Sequence, residues 1–134
     1  FAAEVSAQAG VTINIEPLNT RDNPGYFLCR SAQAVALLDD IGAPNVKLQY
    51  DVYHMQIMEG DLVPTIQRLL PRIGHIQIAD TPGRHEPGTG EINYPFVLSQ
   101  IDALGYQGWV SCEYRPKTTT EESLRWLTPW LERH

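Results

Sequence analysis

The chain has 134 residues, of which 43% are hydrophobic and 19% charged, and its net charge is −6. That allows one globular domain with a real core, while neither the acidic balance nor any apolar run suits a phosphate track or a bilayer span of roughly 20 residues. Cys29 and Cys112 are too few and too far apart for a disulfide framework or a C-x-x-C motif, so two reduced thiols are expected, and without a signal-peptide pattern the expected compartment is the cytoplasm.

In chain order, "FAAEVSAQAG" reads as the last turns of a helix. Four β-rich runs follow at 11–16 (VTINIE), 46–51 (VKLQYD), 75–80 (HIQIAD) and 109–114 (WVSCEY), each ahead of a helical segment. After the first run, Val35, Leu37, Leu38 and Ile41 recur at helical spacing, with Gly42 as the stop. After the second, a helix over 60–74 is expected, opened by Asp61 with Pro64 near its first turn and closed by Gly74. After the third, Asn93 is placed to cap "YPFVLSQIDALG", with Gly105 as the stop. After the fourth, Thr119 and Glu122 have capping-box spacing ahead of "SLRWLTPWLERH", which Pro129 bends or breaks.

Four successive strand-helix units imply parallel strands with helical crossovers, hence an α/β class. Eight such units close a barrel of roughly 250 residues. The expectation is therefore a single partial domain over residues 1–134: four consecutive βα units forming the C-terminal half of a (β/α)8 TIM barrel, with the N-terminal half absent. A small open sheet is the alternative. The exposed edges of a half barrel would favour a homo-oligomer.

Alternate strand residues share a face. Thr12, Asn14 and Glu16 oppose Val11, Ile13 and Ile15. Lys47, Gln49 and Asp51 oppose Leu48 and Tyr50, His75 and Gln77 oppose Ile76 and Ile78, and Ser111 and Glu113 oppose Val110 and Cys112. Each polar face reaches its last good metal-ligand oxygen at or near the strand's C-terminal end: Glu16, Asp51, Gln77 and Glu113. Barrel active sites are built at that end. One acid at a strand end is commonly solvated or caps a helix; four in register are harder to assign that way. Three converging carboxylates repel, and burying them unpaired costs several kcal/mol each. A divalent cation resolves this, and an all-oxygen set suits Mg²⁺ or Mn²⁺ over zinc.

His54, on the short turn leaving the second strand, is divided between a local hydrogen bond and contact with whatever the metal binds. His75 reads as a satisfied interior histidine, and Lys47 is expected to neutralise an interior acid. Trp109, Trp126 and Trp130 are assigned to packing. The segment 82–90 is too rich in glycine and proline for regular structure, so a long loop sits at the same end as the acids. It carries Arg84, His85 and Glu86, and an arginine there suits a substrate carboxylate, although a solvated loop remains the alternative.

"NIEPLN", "YDVYHMQ", "HIQIADTPGRHEPGTGEI" and "CEYRP" together resemble hydroxypyruvate isomerase, of the xylose-isomerase-like TIM-barrel superfamily that also holds the ketose 3-epimerases. The resemblance runs from Val11 onward. It implies Glu16, Asp51, Gln77 and Glu113 as metal ligands, Glu16 and Glu113 as the acid/base pair, and His54 with Arg84, His85 and Glu86 as substrate contacts. Gln77 resembles the hydroxypyruvate isomerase pattern, since the epimerases usually present histidine there. The implied reaction is a metal-dependent interconversion of hydroxypyruvate and tartronate semialdehyde through an enediolate, within carbohydrate and glyoxylate metabolism. It needs no nicotinamide or flavin and no nucleic-acid or membrane partner. Alternatives are a 2-oxo-tetronate isomerase, a ketose 3-epimerase, an abasic-site endonuclease relative and an inactive half barrel.

Overall fold

The computed structural model describes residues 1–131. Helix α1 (Ala2–Gln8) leads to β1 (Ile13–Ile15), α2 (Ser31–Ile41), β2 (Val46–Asp51), α3 (Val52–Met58), α4 (Leu62–Leu69), β3 (Ile73–Ile78), α5 (Tyr94–Ala103), β4 (Val110–Cys112), α6 (Thr120–Ser123) and α7 (Thr128–Leu131). The four strands form one parallel sheet in the order β1-β2-β3-β4. Asn14 pairs with Lys47, Asp51 with Gln77, and Gln77 with Ser111. These are the four alternating βα units expected of half a TIM barrel.

The two faces of the sheet separate as the alternation requires. Leu48, Tyr50, Ile76 and Ile78 are fully buried beneath the helices, against Leu38, Met55, Ile66, Val97 and Ile101. The other face is polar. His75 Nε2 lies 2.7 Å from Ser111 Oγ, the satisfied interior histidine expected. Among the described residues Lys47 pairs with no acid; its ammonium donates to the Pro71 carbonyl at 3.1 Å.

The helix stops follow local chemistry. Gly42 ends α2 in the left-handed region (φ 65) and donates to the Leu38 carbonyl. Asn93 and Thr119 accept from the Phe96 and Glu122 N–H groups, as their caps predict. Three expectations give way. The single helix over 60–74 is α4 plus a 3-10 turn over Leu70–Arg72, and Gly74 lies inside β3. There the register shifts, and a Cβ on Gly74 would run into the Asn14 and Lys47 side chains. The C-terminal helix is divided into α6, a 3-10 turn and α7, with Pro129 in the first turn of α7, and its expected end at 132–134 lies outside the described residues. Trp109 is 83% exposed and outside the core, whereas Trp126 packs against the core.

Candidate active site at the carboxyl ends of the strands

The four expected oxygen donors stand at the carboxyl end of the sheet. Asp51 is the last residue of β2, Gln77 is the penultimate residue of β3, and Glu16 and Glu113 follow β1 and β4 directly. Asp51 is fully buried. Its carboxylate also caps α3, accepting the Tyr53 N–H at 2.8 Å. His54 is therefore held on the first turn of a helix that begins as the strand ends, where a short turn was expected.

Glu16, Asp51 and His54 bring one ligand atom each within 4.8 Å of one another. Gln49 ties Gln77 to this group: its amide donates to Glu16 Oε2 at 2.8 Å and to Gln77 Oε1 at 2.5 Å. Glu113 stands outside the tight cluster and is linked through Arg84, whose guanidinium reaches Glu113 Oε2 at 2.6 Å and Asp51 Oδ2 at 3.2 Å. Arg84 adopts a left-handed backbone (φ 56), costing about 1–2 kcal/mol for a residue with a Cβ. Its two carboxylate contacts, and a third bond to the Glu113 carbonyl, offset that cost.

Burial, then repulsion from Asp51 and Glu113, raises the Glu16 pKa to about 7. Burial raises Asp51 to about 6 against the pull of Arg84. Glu16 Oε1 is buried without a hydrogen-bond partner. An orphaned acceptor on one of two neighbouring acids of raised pKa marks a place short of positive charge.

His54 does not relieve that shortage. The Asn19 backbone N–H donates to His54 Nδ1 at 3.0 Å, so the hydrogen of the neutral ring is on Nε2. Burial, followed by the Arg84 charge, lowers its pKa to about 4. Its Nε2–H faces Asp51 Oδ2 at 3.6 Å and Glu16 Oε1 at 3.8 Å, too far to bond either, which leaves a free donor aimed into the site. Asn19, with Asp22 and Tyr53, had no signal in the strand alternation. The Asn19 amide nitrogen lies 2.7 Å from Nδ1 and also bonds Asp22, which takes a 2.6 Å bond from the Tyr53 hydroxyl.

The loop after β3 is long and irregular, as its glycines and prolines require, but it is firmly anchored. The buried Asp80 carboxylate accepts from the N–H groups of Thr81, Gly88, Gly90 and Ile92 at 2.9–3.1 Å. A Cβ on Gly90 would meet Asp80 Oδ1 at 2.6 Å. Arg84 enters the acid cluster, whereas His85 and Glu86 bond elsewhere. His85 Nδ1 donates to the Arg115 carbonyl at 2.6 Å, and Glu86 Oε2 accepts the Lys117 N–H at 3.0 Å.

A parallel βα sheet with acids gathered at its carboxyl ends is half of a TIM barrel, and the chain belongs to the family described as xylose isomerase-like TIM barrel, which matches residues 1–130. Within that family it is 53% identical to the 2-oxo-tetronate isomerase of Cupriavidus necator, over 99% of this chain and 51% of that protein. It is 50% identical to the hydroxypyruvate isomerase of Escherichia coli, over 97% of this chain and 50% of the relative. The fold matches the crystal structure of a Brucella melitensis protein titled AP endonuclease, family 2, with a TM-score of 0.93 and 47% identity, covering 96% of this chain and 50% of that one. An E. coli 3-keto-D-glucoside 4-epimerase follows with a TM-score of 0.85 and 28% identity, covering 96% and 49%. The chain spans about half the length of the curated relatives it matches.

Proposed function

We propose that the protein is an isomerase of small hydroxy-oxo acids, interconverting hydroxypyruvate and tartronate semialdehyde or the four-carbon 2-oxo-tetronate pair. The observation that carries this is the buried, unpartnered Glu16 Oε1 in the cluster with Asp51 and His54, with Gln77 joined to it through Gln49 and the charge of Glu113 acting on it. The relatives named for these two reactions support the substrate class.

The donor set fits a hard divalent cation, Mg²⁺ or Mn²⁺, held by Glu16, Asp51, Gln77 and Glu113. When bound, the ion would stabilise negative charge on the vicinal oxygens of the substrate. The remaining work belongs to side chains. Glu16 and Glu113 form the acid/base pair: one carboxylate takes the proton from the carbon bearing the hydroxyl, and the other returns a proton to the neighbouring carbon, through an enediolate. His54 presents Nε2–H to a substrate oxygen. Arg84 holds Asp51 and Glu113 in place. The substrate is small and soluble, and a cytoplasmic setting suits two free thiols; among the described residues no helix is long and apolar enough to cross a membrane.

Turnover of hydroxypyruvate and of 2-oxo-tetronate by the purified full-length protein with Mg²⁺ or Mn²⁺ tests the reading. Exchange of the substrate's carbon-bound hydrogen with deuterated solvent is the expected signature. Cleavage of abasic-site DNA without isomerase turnover would replace it with the endonuclease reading.

A further inference from the structure

Beside the acid cluster is a cavity of about 560 Å³, walled by Arg21, Asp22, Tyr53, Gly83, Arg84 and Arg115 among others. Three of these side chains are arginines, and only one is spent. Arg84 is shared between Asp51 and Glu113. Among the described residues, the guanidinium groups of Arg21 and Arg115 have no ion pair or hydrogen bond. Asp22 is already committed: its Oδ2 accepts from the Tyr53 hydroxyl and the Asn19 amide, which holds its carboxyl below the ordinary range. The cavity thus has two unpaired guanidinium groups against the single carboxylate of Asp22, which is held by neutral donors.

Arg115 is also fixed in place. Its N–H donates to the Arg84 carbonyl at 2.7 Å, and its own carbonyl accepts from His85 Nδ1 at 2.6 Å. Two residues on, Lys117 N–H is held by Glu86. His85 and Glu86 therefore pin the loop after β4 to the loop after β3. The pin holds the Arg115 backbone directly beside that of Arg84, at the edge of the cavity both residues line. Arg21 approaches from the loop after β1, close enough for its charge to act on the Tyr53 phenol. An oxyanion entering the cavity would meet both unpaired guanidinium groups, and an arginine fork matches a carboxylate in shape as well as charge.

We propose that Arg115, with Arg21, binds the carboxylate of the substrate in this cavity, next to the reacting carbons held at the acid cluster. The assignment rests on the isomerase reading and deepens it: the residue that reads the charge of the acid is Arg115, not Arg84. Positions 85 and 86 serve the substrate by placing Arg115.

The test uses a probe that cannot isomerise. Binding of glycerate and of its neutral counterpart glycerol is measured by calorimetry on the full-length protein with Mn²⁺, for the parent, Arg115→Ala, Arg115→Lys and Arg21→Ala. The parent should prefer glycerate. Arg115→Ala should weaken glycerate at least about tenfold, Arg21→Ala should weaken it less, and Arg115→Lys should recover part of the loss. Glycerol and Mn²⁺ binding should stay within about twofold. Both side chains are exposed, so the variants should keep the parent's circular dichroism. Unchanged glycerate affinity in both alanine variants, equal losses for glycerate and glycerol, or no glycerate preference in the parent would overturn the assignment. Arginine-dependent glycerate binding without turnover of either hydroxypyruvate or 2-oxo-tetronate would instead remove the isomerase reading and leave the carboxylate site standing.

Discussion

The two sides of the acid cluster are built on opposite plans. On the β1–β2 side, Asp51 and His54 are buried and Glu16 is partly buried, each fixed by its neighbours and shifted in pKa by burial before anything else. On the β4 side, the Glu113 side chain is 54% exposed, and its position depends on one arginine carried by a loop. The first side stores electrostatic tension that a cation would release. The second is a rim whose geometry is set by loop-to-loop hydrogen bonds. The buried side is prepared for charge, and in the proposed isomerase the rim would select and admit the substrate.

The largest expected effect comes from removing the rim's own buried anchor. Asp80→Ala deprives four backbone N–H groups of their acceptor, a loss on the order of 3–5 kcal/mol by urea unfolding. A loss below about 1 kcal/mol would mean that the loop is held from elsewhere, and the contrast between a buried anchor and a soft rim would fail.

Next in size is the pH dependence of the metal-free protein. Glu16 and Asp51 have folded pKa values above their ordinary ones, so their ionisation is resisted by the fold, and the stability they permit at low pH is lost as pH rises through about 6 and then 7. His54 works in the opposite direction: its folded pKa is lowered, so its contribution is present above 6.5 and lost as pH falls toward about 4. Two acids against one histidine leave a net fall on the order of 3 kcal/mol between pH 4 and 7, with Glu16 alone acting above 6.5. Thermal melts with chelator should show the fall, and added Mn²⁺ should flatten it. A chelated protein that gains stability from pH 6.5 to 7.5 would show that the buried side is not under tension.

Glu113→Gln asks what the rim acid does. Its exposure and the remaining Arg84 contact predict an intact fold, while exchange of the substrate hydrogen with deuterated solvent should slow at least about a hundredfold, the scale of losing an acid/base group. Unchanged exchange would reduce Glu113 to a partner of Arg84.

How much of this could be read in advance depended on the range of the interaction. The alternation in 46–51 told the buried face from the polar one because each residue is oriented by its own backbone, and β2 has the expected bounds. Caps and stops at Gly42, Asn93 and Thr119 were legible for the same reason. Helix α3 was not, because no glycine or proline separates it from β2 and Asp51 serves as both strand end and N-cap. Gly74 resembled a helix stop, since nothing local reveals that Asn14 and Lys47 crowd it. Within the site, the donors Glu16, Asp51, Gln77 and Glu113 were visible as a pattern across strands. Their supports were not: Asn19 meets His54 across 35 positions, and Gln49 meets Glu16 across 33.

The smallest effect lies at the outer end of the rim, in α6. Thr119 caps this four-residue helix with a 3.2 Å bond from the Glu122 N–H, and losing such a cap costs about 1 kcal/mol. A second support holds the same turn independently: the Tyr114 hydroxyl lies 3.1 Å from the buried Ser123 carbonyl. Thr119→Ala should therefore cost no more than about 1 kcal/mol in urea unfolding and leave turnover unchanged, because the Arg115–Lys117 pin comes before the cap. Tyr114→Phe combined with it should cost more than the sum of the two single changes, since each support then fails without the other. Strict additivity would show that the two bonds hold separate pieces of the rim. A turnover loss in Thr119→Ala alone would show that the helix, rather than the loop-to-loop pin, positions the arginines.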